Sequence, residues 1–206
     1  MQEQTRRRVG LMGGTFDPIH IGHLMLAECA YEQFQLEQVL FLPAGNPPHK
    51  DKRKVGATDA QRIDMVRLAI EGNPHFKLDP EEMLREGYTY TKDTLNLLTQ
   101  KHPDIDYYFI IGADSLMAFD TWYHPEEICR DSILAVAVRD QMGLEKIQAK
   151  MHELEERFQA RIYLLQTPDI DIASSHLRQM RSQKRSIRYY VTDPVWQYIE
   201  EQALYL

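Results

Sequence analysis

The chain has 206 residues, of which 43% are hydrophobic and 27% charged, and it carries a formal net charge of −7. These values are ordinary for a globular protein with a sizeable core, whereas proteins that bind nucleic acids usually leave a basic footprint. No apolar run approaches the roughly 18 residues of a membrane span, the amino-terminal residues lack a signal-peptide apolar region, and two cysteines do not suggest a disulfide framework, so we expect a cytoplasmic protein.

The first element is predicted to be a short apolar strand that ends near Met12 and runs into Gly13 and Gly14. The Asp-Pro pair at 17–18 predicts a turn, because proline fixes its own φ and disfavours helix at the residue before it. A helix is predicted from about Ile19. Such a strand, glycine turn and helix point backbone N–H groups and the positive end of a helix dipole at one place, which favours an anion.

Two histidines lie at the start of that helix. His20 and His23 are three residues apart, so on one helical face their Cβ atoms would lie about 5–6 Å apart. Two imidazoles beside an anion site suit phosphate chemistry. Taken alone, histidines at this spacing are more often ordinary surface or core residues.

Apolar strands and helical segments alternate along the rest of the chain. The further strands are predicted at 38–42, 76–78, 106–111, 132–138 and 161–165, and the helices after Thr58, around Leu95 and Leu98, at 115–119 and at 144–158. This alternation predicts an α/β fold with a doubly wound parallel sheet. The loops at the carboxyl ends of its strands should build the functional site.

Helix starts give further candidates. Thr58 is a plausible N-cap, and a threonine-capped start is predicted within residues 89–94. Ser174 or Ser175 would cap a later helix, leaving N–H groups and hydroxyls for an anion, with Arg178 one turn inside.

Residues 13–23 read G-G-T-F-D-P-I-H-I-G-H. This stretch resembles the first motif of the nucleotidyltransferase superfamily, and most of all that of the bacterial nicotinate-nucleotide adenylyltransferases. Residues 172–178, I-A-S-S-H-L-R, resemble the family's second phosphate motif, I-S-S-T-x-I-R, except that Ala173 stands where serine is common. The P-P-H-K loop at 47–50 and the G-A-D element at 112–114 also match, and the resemblance covers nearly the whole chain.

The resemblance implies transfer of an adenylyl group from ATP to nicotinate mononucleotide, giving deamido-NAD and pyrophosphate. It makes His20 and His23 the catalytic pair. It implies ATP binding by Gly13, Gly14, Thr15, Phe16, His20, His23, Gly112, Asp114, Ser174, Ser175 and Arg178. For nicotinate mononucleotide it implies Thr15, His49, Lys50, Tyr90, Thr91, Trp122 and Arg139. From the residues alone, Trp122 would also fit core packing, and His49-Lys50 an ordinary surface loop.

The implied cofactor is Mg²⁺, held mainly by the ATP phosphates and by water rather than by protein ligands. Asp17 would be either a metal ligand or a turn residue. The expected partners are the two small-molecule substrates, without nucleic acid or membrane, and the sequence leaves homo-oligomer formation open. We expect a single nucleotidyltransferase domain over 1–206, in which 171–206 form a helical part that carries the second phosphate motif.

Two alternatives remain at this point. The chain could be a nucleotide-binding sensor that does no chemistry, although such a protein would be expected to have lost one histidine or the Ser-Arg motif. It could also be another small-molecule adenylyltransferase, such as pantetheine-phosphate adenylyltransferase, although those are typically shorter and lack the combination of G-A-D, tryptophan and P-P-H-K.

Overall fold

A computed structural model describes residues 6–46, 56–138 and 143–206. The strands are β1 (Arg7–Gly14), β2 (Gln38–Pro43), β3 (Phe76–Leu78), β4 (Ile105–Gly112), β5 (Ile133–Ala137) and β6 (Arg161–Leu165). The α-helices are α1 (Ile21–Phe34), α2 (Asp59–Ile70), α3 (Glu81–Leu84), α4 (Thr91–Lys101), α5 (Ala113–Met117), α6 (Pro125–Asp131), α7 (Leu144–Phe158), α8 (Ser174–Ser182) and α9 (Asp193–Glu201). A short 3₁₀ turn covers Phe119–Thr121.

The six strands form one sheet in the order β3-β2-β1-β4-β5-β6. This order starts at the centre and winds outward in both directions, as in doubly wound nucleotide-binding folds. The pairings β1–β4, β4–β5 and β5–β6 are parallel. The predicted α/β fold class is therefore confirmed.

The chain divides into two compact units. The first unit comprises Met1–Met12, Leu26–Leu40 and Tyr90–Asp169, and the second comprises Gly13–Met25, Phe41–Thr89 and Ile170–Leu206. The residues that resemble the two phosphate motifs fall in the second unit. The G-A-D element, Tyr90 and Trp122 fall in the first unit.

In the first unit the core is built on β4 and β5. All five residues of β5 are buried, because both faces of a central parallel strand are covered. Its neighbours set the register, with Ile111 of β4 opposite Val136 and Leu165 of β6 opposite Ala137. β4 therefore ends in Gly112, next to the start of α5.

In the second unit the core forms around Phe16, Phe41 and α2. Phe41 contacts Phe16 at 5.9 Å and Phe76 at 5.1 Å between ring centroids. Helix α2 begins with a full capping box, in which the Thr58 hydroxyl accepts from the Gln61 N–H and the Gln61 side chain accepts from the Thr58 N–H. The predicted N-cap at Thr58 is confirmed.

Several predicted boundaries are wrong. Helix α1 begins two residues later than expected, and β1 continues through both glycines to Gly14. The N-cap of α4 is Tyr90, without a side-chain cap, where a threonine cap was expected. The N-cap of α8 is Ala173 and not a serine. The bounds of α7 and β6 agree with the prediction.

No helix in the described parts of the chain combines the length and apolar character needed to cross a bilayer. Both cysteines are free, as the sequence predicted.

Candidate active site

The first phosphate segment runs from Gly13 at the end of β1 to the start of α1. Within it Phe16 is buried and has a φ of 50°, in the left-handed region that a bulky residue rarely adopts. The Phe16 ring contacts the ring of Phe41 and, at 5.0 Å, that of His23. The side chain thus fixes an unusual backbone turn at the point where the sequence predicted the anion site.

His20 and His23 lie together, but not as two residues of one helix. His20 occupies the N-cap position of α1 and is 4% exposed. The two rings stack, with centroids 3.7 Å apart and an interplanar angle of 24°. The structure therefore brings the predicted catalytic pair together, with His20 placed one residue before the helix.

The cap of α1 also fixes the hydrogen-bonding role of His23. The His20 backbone N–H donates to His23 Nδ1 at 3.2 Å, so Nδ1 is an acceptor and carries no hydrogen. A neutral imidazole with an acceptor Nδ1 carries its hydrogen on Nε2. In this arrangement His23 Nε2–H is a donor suited to a phosphate oxygen.

Not every backbone N–H at this helix start faces a ligand. The Ile21 N–H donates to the Tyr190 carbonyl at 2.9 Å, and the His20 N–H is used by His23. The sequence analysis predicted that the whole helix start would form an anion site. In the structure, the His20 and Ile21 N–H groups already donate to protein acceptors and are not part of such a site.

The second phosphate segment, at the start of α8, contacts the first. Ser174 Oγ donates to the Pro18 carbonyl at 2.9 Å, and Arg178 Nη1 donates to the Asp17 carbonyl at 2.7 Å. Ser175 is exposed in the first turn, where the N–H groups have no acceptor within the helix. The two predicted phosphate motifs are therefore joined within the second unit.

Asp17 is the buried junction of these segments, at 2% exposure. One carboxylate oxygen accepts from the Gly56 N–H at 2.8 Å, and the other accepts from the Ala57 N–H at 3.1 Å and the Tyr205 hydroxyl at 2.7 Å. Arg178 lies 3.6 Å from the same carboxylate. These contacts favour a structural role for Asp17 in the turn over a role as metal ligand.

Tyr205 closes this junction. Burial, together with the neighbouring Asp17 carboxylate, raises the pKa of the Tyr205 hydroxyl, which keeps it protonated as a donor. A Cβ atom at Gly56 would lie 2.8 Å from the Tyr205 ring, so the close approach of ring and backbone requires glycine. Tyr205 could not be predicted from the sequence, since Asp17 is 188 residues away.

The predicted base-recognition residues lie in the first unit. Tyr90 is the N-cap of α4 and Thr91 its first residue. Trp122 is half-buried and packs on Phe119 at 5.4 Å and on Phe109 at 5.9 Å between ring centroids. This position is compatible both with mononucleotide binding and with core packing.

An aromatic residue that the sequence missed lies beside Tyr90. The Tyr123 ring, 47% exposed, contacts the Tyr90 ring in a tilted arrangement, with centroids 4.3 Å apart, and the Lys92 ammonium lies 5.5 Å from the Tyr123 centroid. The sequence could have indicated Tyr123, because this residue follows Trp122 directly in a polar loop. Tyr90, Lys92 and Tyr123 thus form a polar aromatic group at the start of α4.

The G-A-D element lies where β4 ends. Gly112 is the N-cap of α5, and Asp114 is exposed in the first turn of that helix. The carboxylate therefore stands at the carboxyl end of a central strand, as predicted. His49, Lys50 and Arg139 lie outside the described residues.

Arg62 is a further residue that the sequence reasoning missed. It lies on α2 at 1% exposure, and its Nη1 donates to the carbonyl oxygens of Thr15 at 2.7 Å and Ala44 at 2.9 Å. A signal existed, because position 62 shares a helical face with Met65 and Val66, which are buried. An arginine on an apolar face indicates polar partners inside the protein.

Among the residues with described side chains, one group of three could hold a metal ion. It consists of His124, Glu126 and Glu127 at the start of α6, with ligand atoms within 4.8 Å of one another. His124 is paired with Glu126 at 3.0 Å, and Lys92 lies 3.6 Å from Glu127. These contacts are those of partly exposed ion pairs, outside the two phosphate segments.

Comparison with known proteins assigns the family. A family model described as cytidylyltransferase-like matches residues 11–180. A probable nicotinate-nucleotide adenylyltransferase of Lachnoclostridium phytofermentans is 43% identical over 200 residues, which cover 97% of this chain and 100% of that protein. The chain belongs to the cytidylyltransferase-like family, and within it to the nicotinate-nucleotide adenylyltransferases.

Other members of this adenylyltransferase family support the assignment. The probable enzyme of Thermomicrobium roseum is 42% identical, with 96% of this chain and 91% of that protein covered. Among solved structures, nicotinic acid mononucleotide adenylyltransferase of Plasmodium falciparum complexed with NaAD has a TM-score of 0.77 at 20% identity, covering 97% of both chains. This structural likeness supports the shared fold.

Proposed function

We propose that this chain transfers the adenylyl group of ATP to nicotinate mononucleotide, producing deamido-NAD and pyrophosphate in NAD biosynthesis. One observation carries the proposal beyond family membership. Ser174 and Arg178 of the second phosphate motif bond directly to Pro18 and Asp17 of the first. The chain thus keeps both halves of a polyphosphate site in contact within one unit.

The reaction needs alignment more than a base. The nucleophile is a phosphate monoester, mostly dianionic at neutral pH because its second pKa is about 6. Its oxygen attacks the α-phosphorus of ATP in line, the bond from that phosphorus to the bridging oxygen breaks, and pyrophosphate leaves without a covalent enzyme intermediate. The protein therefore has to orient the two phosphates and stabilise the charge that develops on them.

The second unit supplies the phosphate contacts in this proposal. His23 donates from Nε2, His20 stacks on it, and N–H groups of Gly14 to Phe16 complete the first contact. Ser175 and the remaining N–H groups of Arg178 hold the distal phosphates. Arg178 is preorganised because one of its nitrogens is already fixed on Asp17.

Enzymes of this family typically use a divalent metal ion, and we assign Mg²⁺ here. Since Asp17 already accepts three hydrogen bonds from N–H and O–H donors, the ion would be held by the triphosphate and water. It would neutralise charge on the departing pyrophosphate.

The nicotinate ring is a pyridinium cation that carries a carboxylate. Aromatic faces at Trp122 and Tyr123 suit the cation, and the N–H groups at the start of α4, next to Tyr90 and Thr91, suit the carboxylate. Asp114 would accept hydrogen bonds from nucleotide hydroxyls. His49, Lys50, Thr15 and Arg139 complete the proposed contacts to the mononucleotide.

We assign these steps to one nucleotidyltransferase domain over 1–206. The family match to residues 11–180 supports this, because it includes residues of both compact units.

A pyrophosphate-release assay tests the proposal. With ATP and Mg²⁺, we expect release with nicotinate mononucleotide and much lower kcat/KM with nicotinamide mononucleotide, since the amide lacks the negative charge that a helix start favours. Pantetheine phosphate as acceptor and EDTA in place of Mg²⁺ are the controls.

The other outcomes each exclude part of the proposal. Equal kcat/KM for the acid and the amide would show that the carboxylate site is misplaced. Release only with pantetheine phosphate would indicate the other adenylyltransferase. ATP binding by calorimetry without any release would favour a nucleotide sensor.

A further inference from the structure

We infer that Arg62 is a positioning residue of the first phosphate segment. Its buried guanidinium fixes the peptide between Thr15 and Phe16, so that the Phe16 N–H and the His23 ring face the anion in a set orientation. The identity of that anion rests on the proposed function, whereas the positioning itself can be measured separately.

The contacts of Arg62 join two loops to one helix. A single nitrogen, Nη1, donates to the Thr15 carbonyl at 2.7 Å and to the Ala44 carbonyl at 2.9 Å. These carbonyls follow the ends of β1 and β2. Nη2 donates to Asp59, one turn earlier on α2, at 2.6 Å. Arg62 therefore ties the residue after Gly14 and the residue after Pro43 to α2.

The position is an unfavourable one for an arginine unless these bonds are needed. Arg62 is 1% exposed, whereas the side chain of its charged partner Asp59 is 57% exposed, so the pair is poorly matched in burial. The Arg62 Nε is buried and finds no acceptor within the described residues. An apolar residue would suit the face shared with Met65 and Val66, since replacing a buried ion pair by packed apolar residues is often neutral or stabilising.

The start of α2 does not depend on Arg62. The capping box between Thr58 and Gln61 already satisfies N–H groups at that end. What Arg62 adds is orientation of two carbonyl groups that belong to other segments.

Peptide geometry connects this orientation to the site. In a planar trans peptide the C=O and the following N–H point in opposite directions. Arg62 holds the Thr15 carbonyl toward α2, so the Phe16 N–H points away from it. Phe16 has left-handed backbone angles, and such conformations persist where surrounding contacts determine them, often at functional sites.

Two sets of contacts determine the conformation of Phe16. Its ring is held by Phe41 and His23, and the peptide before it is held by Arg62. Because the Phe16 ring contacts the His23 ring, the position of Phe16 also limits the orientation of the imidazole that is proposed to bind phosphate. Removing Arg62 would leave the ring in place but free the peptide to rotate.

The test compares Arg62→Met and Arg62→Lys with a matched control, Arg181→Met. Arg181 is also buried in the second unit, with its Nε likewise lacking an acceptor among the described residues. It pairs with Glu200 at 2.8 Å and lies over the Trp196 ring. It has no bond to the first phosphate segment.

We expect only Arg62→Met to lose turnover, whatever each methionine substitution does to the free energy of unfolding. At a temperature where each protein is fully folded, kcat at saturating substrates should fall roughly ten- to a hundredfold for Arg62→Met, as expected for a misplaced reacting group. Arg62→Lys should retain part of the wild-type kcat, because the lysine ammonium can still donate to both carbonyls. If Arg62→Met does not fold, the lysine variant carries the comparison.

A second measurement does not depend on catalysis. The ¹H–¹⁵N resonance and the hydrogen-exchange rate of the Phe16 amide should change in both Arg62 variants and stay unchanged in Arg181→Met. An unchanged Phe16 amide together with wild-type kcat would overturn the positioning role. A changed Phe16 amide in the Arg62 variants, together with wild-type protein that performs no adenylyl transfer, would instead count against the proposed function alone.

Discussion

At the residue scale, the two ring nitrogens of His23 differ in their hydrogen-bonding roles. Nδ1 accepts from the His20 N–H at the amino end of α1, so the neutral ring carries its hydrogen on Nε2. The spacing of the two histidines predicted that they would be neighbours. It could not predict the cap, because His20 was placed inside the helix and not before it.

His23→Ala should lower kcat by roughly a hundredfold or more, an expectation for losing a preorganised charge contact. Two conservative variants distinguish the roles of the two ring nitrogens of His23. Asparagine can keep the acceptor near Nδ1 and loses the Nε2 donor, so His23→Asn should be nearly as inactive as alanine. Glutamine can place an amide N–H near Nε2 and should retain more activity.

Steady-state pyrophosphate release measures this series, with His152→Ala as the control, because His152 is 72% exposed and paired with Glu156 on α7. Near-normal turnover of His23→Ala would remove His23 from the mechanism.

At the scale of elements, the sequence predicted the helices and strands that have a strong hydrophobic pattern. The bounds of α7 and β6 agree with the prediction, because a long amphipathic helix and a continuous apolar run are both clear signals. The helices α3 and α6 have only four and seven residues, too few for a period to show. Neither of them was predicted.

Of the three predicted helix caps, the sequence prediction was correct only for the one in which a side chain makes the capping bond. Thr58 caps α2 through its hydroxyl, whereas Tyr90 and Ala173 cap their helices without any side-chain bond. Such starts depend on tertiary contacts, here the bonds of Ser174 and Arg178 to the first phosphate segment.

Ala173 offers a test of this view of α8. Its backbone is extended, with φ −124° and ψ 134°, so a serine there could accept from the N–H of His176. Ala173→Ser should raise the free energy of unfolding by about 1 kcal/mol, and Tm by roughly 2–4 °C.

Thermal and urea unfolding check this expectation. The same change at Ala149, which is exposed within α7, should slightly destabilise the protein, because serine is a weaker helix former than alanine. Equal effects at both positions would contradict a capping role.

At the scale of the whole molecule, stability should depend on alkaline pH. Cys129 is 2% exposed, and burial raises the pKa of its thiol to about 12, against about 8.5 in an unfolded chain. Between these values the unfolded chain loses a proton that the folded chain keeps. The free energy of unfolding should therefore fall as pH rises, by at most about 1.4 kcal/mol per pH unit from this group.

Urea unfolding between pH 8 and pH 11 measures this slope, and Cys129→Ala should flatten it. The raised pKa of the Tyr205 hydroxyl acts in the same direction, so part of the decline should remain in the variant. Parallel curves for the two proteins would contradict the assignment to Cys129.

The candidate site was predictable where it is local in sequence. Gly13 to His23 and Ser174 to Arg178 were recognisable as two motifs. Their junction was not, because the donors that Asp17 accepts from lie near positions 56 and 205, and the Arg62 bonds cross to Thr15 and Ala44. Such partners are set by the tertiary fold, and a single sequence does not record which distant residues meet.

The Asp17 junction also constrains how the protein reaches its final form. Its hydrogen bond to Tyr205 spans 188 residues, and contacts of such separation carry a large loop-closure cost that slows their formation. Helices and neighbouring strands can assemble while this carboxylate is still in water. We therefore expect the hydrogen bonds that fix the turn at Asp17 to form late in folding.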